Sequence, residues 1–145
     1  MLWNDLFETG IEEVDRQNYD LIARVEAMMN PESDRARLVQ LENFEKIVNN
    51  YFKLEQAMHG GCNYFDLEAH RYSHEIYLKK LRQVKQNFSN GGATLEKENI
   101  FRKDIVEYLK KHIMWHDQTF AYFYKNDRMP VSLVALYDLC SAGVV

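Results

Sequence analysis

The chain has 145 residues, 46% of them hydrophobic, with only two prolines and a formal net charge of −4. That length is enough for one domain with a real core, and the composition excludes a disordered chain. The acidic balance leaves no basic footprint for nucleic acid or for an anionic membrane surface, and no apolar run reaches membrane-spanning length.

The start, Met1-Leu2-Trp3-Asn4-Asp5-Leu6-Phe7-Glu8, has no basic region of the kind that opens a secretory leader. Cys62 and Cys140 are isolated, with no Cys-x-x-Cys, and read as ordinary thiols of a reducing compartment. A cytoplasmic setting is therefore expected. Whether the two cysteines pair stays open.

Residues 1–14 are short in pattern, with Thr9-Gly10 as a turn signal, and suggest an arm laid across the domain and anchored by Trp3 and Phe7. A first helix is expected from about Val14 to Met29, through Leu21, Ile22, Val25 and Met28. Asn30-Pro31 stops it, because proline disfavours helical geometry in the residue before it. A second helix runs from about Asp34 to His59 along Leu38, Leu41, Phe44, Val48 and Phe52, with Gly60-Gly61 as its stop. Asp66 is the expected cap of a third helix carrying His70 and His74, then Tyr77, Leu81, Val84 and Phe88. After Asn90-Gly91-Gly92, Thr94 caps a long fourth helix to about Lys125. Ser132 to Ser141 suggests a short fifth.

Long amphipathic helices joined by short loops predict an all-α, up-down-up-down four-helix bundle with an N-terminal arm and a short C-terminal helix. Residues 1–125 are assigned to the bundle and its arm. Residues 126–145 form an extension packed on the same domain or at an interface between copies, a route to a homo-oligomer. The lysine pairs Lys79-Lys80 and Lys110-Lys111 read as solvated faces.

His70-Arg71-Tyr72-Ser73-His74 is the stretch with chemistry in it. Two histidines four apart on a helix lie about 40° apart around the axis, one turn above the other, so both can close on one ion. Such a pair alone could be chance. Glu55 upstream, and His112 and Asp117 downstream, turn it into three separated segments that a bundle can bring together around a metal. On the fourth helix, geometry favours His116, about 40° from His112, over Asp117, about 140° away. His59, beside Gly60-Gly61, reads as a partly exposed helix-end histidine.

Over about residues 3 to 124 the chain resembles a hemerythrin-type domain, a four-helix bundle that holds two irons and binds dioxygen reversibly. The family has a histidine after an Asp-x-Gln turn, a His-Phe-x-x-Glu motif, a His-x-x-x-His pair, and a histidine followed five residues later by aspartate. Glu55, His70, His74, His112 and Asp117 match that pattern position by position. The resemblance thus selects Asp117 over His116, at the expense of a side chain reaching around the helix or a local widening of it. Asn18, after Asp15-Arg16-Gln17, and Tyr51, before Phe52, stand where the family has its other two histidines.

Both losses fall on the same iron. The resemblance therefore implies one intact site of three imidazoles and two carboxylates, suited to non-haem iron, with manganese or zinc as other candidates. One iron per chain is expected, with two as the alternative. An open position would take nitric oxide, superoxide, peroxide or dioxygen; whether catalysis follows is left open. Asn18 and Tyr51 would project into the vacated space and hydrogen-bond the carboxylates, Tyr51 serving as proton donor to a bound oxygen species. Tyr51 has two other readings, a ligand of a second, oxygen-rich metal site or a plain bundle tyrosine. The family's apolar ligand pocket corresponds to Leu21, Phe52, Leu109 and Ile113, with Tyr108 nearby, though core packing alone would also explain these. Two alternatives stand beside this reading: a diiron dioxygen binder, or a bundle with a structural metal that acts through assembly.

Overall fold

The computed structural model describes residues 2–126. The expected C-terminal helix, Cys140 and the interface role of the extension lie outside the described residues. Those described form an all-α bundle of four helices preceded by one short 3-10 turn, Asp5–Phe7.

The arm is held much as its aromatic residues suggest. Phe7 is buried and Trp3 packs edge-on against it at 5.5 Å between ring centroids. Gln118 donates from Nε2 to the carbonyls of Leu6 and Glu8, tying the arm to the last helix. Asp15 closes the following turn: its carboxylate accepts from the Thr9 amide and hydroxyl, both at 2.7 Å, and from the Gly10 amide at 3.0 Å. Gly10 has φ +82°, the left-handed region where a side chain is strained, and a Cβ there would meet the Lys125 side chain.

Helix α1 spans Glu12–Met29 and buries Val14, Gln17, Asn18, Leu21, Ile22, Val25 and Met28, the three-and-four spacing of one helical face. Helix α2, Asp34–Gly61, starts at Ser33, whose hydroxyl accepts from the Ala36 amide at 3.0 Å. Helix α3 is Leu67–Ser89; Asp66 occupies the capping position without a side-chain capping bond. Thr94 caps the last helix by accepting from the Lys97 amide at 3.2 Å.

That last helix, α4 (residues 95–126), is continuous but not uniform. Leu95–Phe101, Tyr108–His112 and Gln118–Asn126 are α-helical, while Arg102–Glu107 and Ile113–Asp117 are π-helical. A π turn widens the helix and loosens its carbonyl ladder. In the first such stretch the buried Tyr77 hydroxyl donates to the Ile105 carbonyl at 3.0 Å.

Connections at 30–33, 62–66 and 90–94 are short, so successive helices run antiparallel, and α1 packs against α4 to close the bundle. Two apolar clusters fill it. The larger includes Leu21, Val25, Leu41, Phe44, Val48, Phe52, Leu81, Val84, Phe101, Ile105 and Leu109. The smaller gathers Ile11, Val14, Tyr64, Phe120 and Ala121. Between them, in sequence on every helix, sits a buried polar layer: Asn18, Glu55, His59, His70, Ser73, His74, His112 and Asp117. Burying so many polar groups is costly unless they are partnered, so this layer needs an explanation.

Candidate metal centre

Each helix contributes to the layer through a local periodicity already visible in its own segment. On α3, His70 and His74 are one turn apart and face inward, both essentially without solvent exposure. On α2, Glu55 follows the buried series Leu41, Phe44, Val48 and Phe52 at the same spacing. Their side chains meet: Glu55 Oε1 lies 2.7 Å from His70 Nε2 and 2.9 Å from His74 Nε2. His70 Nε2 and His112 Nε2 are 3.3 Å apart. Glu55, His70, His74 and His112 each offer one ligand atom, and those atoms all lie within 4.8 Å of one another.

Asp117 joins them because of the second π stretch. Oδ1 of Asp117 is 3.0 Å from His70 Nε2 and 3.1 Å from His112 Nε2. In a regular α-helix a residue five on from His112 would point about 140° away. The π-helical Ile113–Asp117 takes more residues per turn and returns Asp117 to the face of His112. His116 stands beside the cluster, its ring 5.3 Å from that of His112 and 5.5 Å from that of His70, whereas Asp117 reaches both Nε2 atoms directly.

The hydrogen bonds behind the rings orient them. His74 Nδ1 is 2.9 Å from Gln56 Oε1, and His112 Nδ1 is 2.8 Å from Ser73 Oγ. A proton on each Nδ1, donated outward, leaves both Nε2 lone pairs aimed at the centre. Lone pairs and two carboxylates facing one another in a dry interior repel unless a cation or protons sit among them. That donor set, imidazole nitrogens with carboxylate oxygens, fits a divalent first-row metal ion such as iron. Gln56 and Ser73 were not singled out in the sequence. Their only signal there is position, each adjacent to a candidate ligand.

Without a metal, protons must do this work. Burial alone would depress His70, but the Glu55 and Asp117 carboxylates outweigh it and raise its pKa to about 9. Burial would raise Asp117, yet the neighbouring histidines hold it well below the ordinary carboxylate range. His74 is pushed well below the ordinary histidine value, first by burial and then by the charge on His70. Burial likewise lowers His116 to about 3.

The two positions that depart from the family pattern separate. Asn18 turns into the layer and donates from Nδ2 to Asp117 Oδ2 at 2.9 Å, as expected of a buried amide facing a carboxylate. Tyr51 does not. Its hydroxyl donates to Asp20 Oδ2 at 2.8 Å, on the half-buried seam between α1 and α2, so the expected donor to the cluster carboxylates is corrected. Asp20 lies on α1 with its carboxylate also paired to Arg24, an acceptor closer to the surface than the cluster carboxylates.

His59 is a second correction. It is fully buried, not partly exposed, because Tyr64 after the Gly60-Gly61 stop and Phe120 on α4 close over it, at 5.2 and 4.3 Å between ring centroids. Burial drives its pKa down to about 3, helped by the charge on His70. The apolar residues expected near the metal are in place as core: Leu21, Phe52, Leu109 and Ile113 are all buried, and Phe52 stacks on the His74 ring at 3.8 Å. Tyr108 approaches Ser73 at 3.4 Å between hydroxyl oxygens.

No helix among the described residues is long and apolar enough to cross a membrane. No family model matches the chain, and no solved structure matches it. Two proteins do. A bacteriohemerythrin of Stenotrophomonas maltophilia (strain R551-3) is 22% identical over 124 residues, covering 83% of this chain and 79% of that protein. A myohemerythrin of Theromyzon tessulatum is 27% identical over 115 residues, covering 79% of this chain and 86% of its own. Both alignments take in most of a chain whose four helices converge on buried histidines and carboxylates, and together these findings support a hemerythrin-like domain.

Proposed function

We propose that this is a non-haem iron protein holding one iron per chain through Glu55, His70, His74, His112 and Asp117, and that it binds or senses a small molecule there. The observation that carries the reading is the convergence of these side chains, together with the Asn18 amide on the far oxygen of Asp117. In a two-iron site that oxygen would face the second metal. Here it already accepts a hydrogen bond, and Tyr51 has its hydroxyl on Asp20, which favours the one-iron reading over a diiron dioxygen carrier.

Held by these five side chains, iron would supply one-electron chemistry toward nitric oxide, superoxide, peroxide or dioxygen. The chain's own residues do the rest. Gln56 and Ser73 fix the imidazole planes, Asn18 fixes the Asp117 carboxylate, and Leu21, Phe52, Leu109 and Ile113 keep water out of the layer. A cytoplasmic setting belongs to the same proposal and rests on the isolated cysteines.

Metal analysis of protein purified without oxygen tests it, combined with absorption spectra before and after nitric oxide or azide. One iron per chain and a ligand-dependent spectrum are expected. Two irons with a bridging-oxo absorption would return the protein to the carriers, and tightly held zinc with no ligand response would make the metal structural.

A further inference from the structure

Three nitrogens in the polar layer have no hydrogen-bond partner among the described residues: Nδ1 and Nε2 of His59, and Nδ1 of His70. Both residues have no solvent exposure, and their rings are in contact, 4.2 Å between centroids at an interplanar angle of 46°. An imidazole that offers Nε2 to a metal carries its proton on Nδ1, and that proton needs an acceptor. His74 uses Gln56 and His112 uses Ser73. His70 has His59 against it, a buried ring whose two nitrogens are both without a partner and so have a lone pair to give.

We propose, on the footing of the metal centre above, that His59 is a positioning residue: it accepts the Nδ1–H of His70 and so holds Nε2 of His70 on the metal. Glu55 and Asp117 meet His70 at Nε2, whereas His59 touches it only ring to ring, which leaves Nδ1 of His70 for His59. With His59 counted, each of the three metal-facing imidazoles has its own acceptor, drawn from α2 for His70 and His74 and from α3 for His112.

The test uses Zn(II) titrated against a competing chelator, with the full chain and its His59→Leu and His59→Gln variants. His59→Leu removes the acceptor proposed for the Nδ1–H of His70, so zinc affinity should fall tenfold or more. His59→Gln restores a carbonyl acceptor and should recover most of that affinity. In the zinc-loaded, nitrogen-15-labelled protein, His70 Nδ1–H should give a slowly exchanging ring resonance that His59→Leu loses and His59→Gln keeps. Unchanged zinc affinity and an unchanged His70 resonance in His59→Leu would overturn the proposal and leave His59 a core residue. Four imidazoles on the metal by X-ray absorption would overturn it in the other direction, making His59 a ligand. If the unaltered protein takes no zinc or iron, it is the metal centre itself that fails.

Discussion

Asn18 and Asp117 are 99 positions apart and meet at 2.9 Å, amide nitrogen to carboxylate oxygen, in the buried layer of the bundle. Asn18 stands where the resemblance implies a histidine, and Asp117 is a candidate ligand. Removing the amide leaves a buried, ionised oxygen without its donor, at a cost of about 1.5–3 kcal/mol. Asn18→Leu should therefore destabilise the metal-free protein by that order in urea unfolding. It should also weaken metal binding by about 10–100-fold, the usual effect of losing a partner behind a ligand. Unaltered affinity would mean that Asp117 is oriented by the histidines alone.

The π stretch makes a sharp distinction between neighbours on α4. His74→Ala and Asp117→Ala should each strip most of the metal, whereas His116→Ala should keep it, because Asp117 Oδ1 lies on His70 and His112 while the His116 ring only stands beside theirs. Iron content by elemental analysis reads this directly. Thermal stability should follow, since a metal that binds only the folded state adds about 2.7 kcal/mol when present at about a hundred times its dissociation constant. Equal metal loss in His116→Ala and Asp117→Ala would bring His116 into the site.

Proton release should accompany metal binding. In the metal-free protein His70 keeps its proton up to about pH 9, held by Glu55 and Asp117, and a metal must displace it. Calorimetry in buffers of different ionisation heat should show about one proton released per metal at pH 7, fading above about pH 9. The sign for folding follows from the same shift. The raised pKa of His70 stabilises the metal-free fold fully below its unfolded value of 6.5, and that contribution is lost as the pH rises through about 9. His59 and His116 act oppositely: with pKa values near 3, their cost grows as the pH falls from 6.5 towards 3. Metal-free stability should peak near neutrality. A monotonic rise from pH 5 to 10 would contradict this.

Tyr51→Phe removes only the hydrogen bond to Asp20 on the α1–α2 seam. About 0.5–1.5 kcal/mol of stability should be lost, with iron content and the nitric oxide response unchanged. A changed ligand response would show that the phenol reaches the metal after all.

Much of the site was legible in the chain because it is local. A helix puts His70 and His74 one turn apart whatever surrounds it, and Glu55 continues the inward face set by Phe44, Val48 and Phe52. Helix ends were local where Pro31 and the Asn90-Gly91-Gly92 break stop α1 and α3 and Thr94 opens α4. Asp117 was different. Regular helical geometry pointed to His116, family resemblance pointed to Asp117, and the physical reconciliation is a π turn whose occurrence depends on packing across the bundle.

What only the tertiary structure decided were the directions of side chains with more than one acceptor in reach, and the burial of segment ends. Tyr51 chose Asp20 because α1 and α2 pack with that carboxylate at the seam, and the chain alone does not state which side chains share a seam. Gln56 and Ser73 became partners of ligand imidazoles only once α2 met α3, and α3 met α4. His59 looked like a helix-end histidine by its neighbours in sequence, and became core because Phe120, 61 positions later, covers it. Periodicity dictates which face of a helix turns inward; what waits there is set by contacts between residues far apart in the chain, and no local pattern carries them.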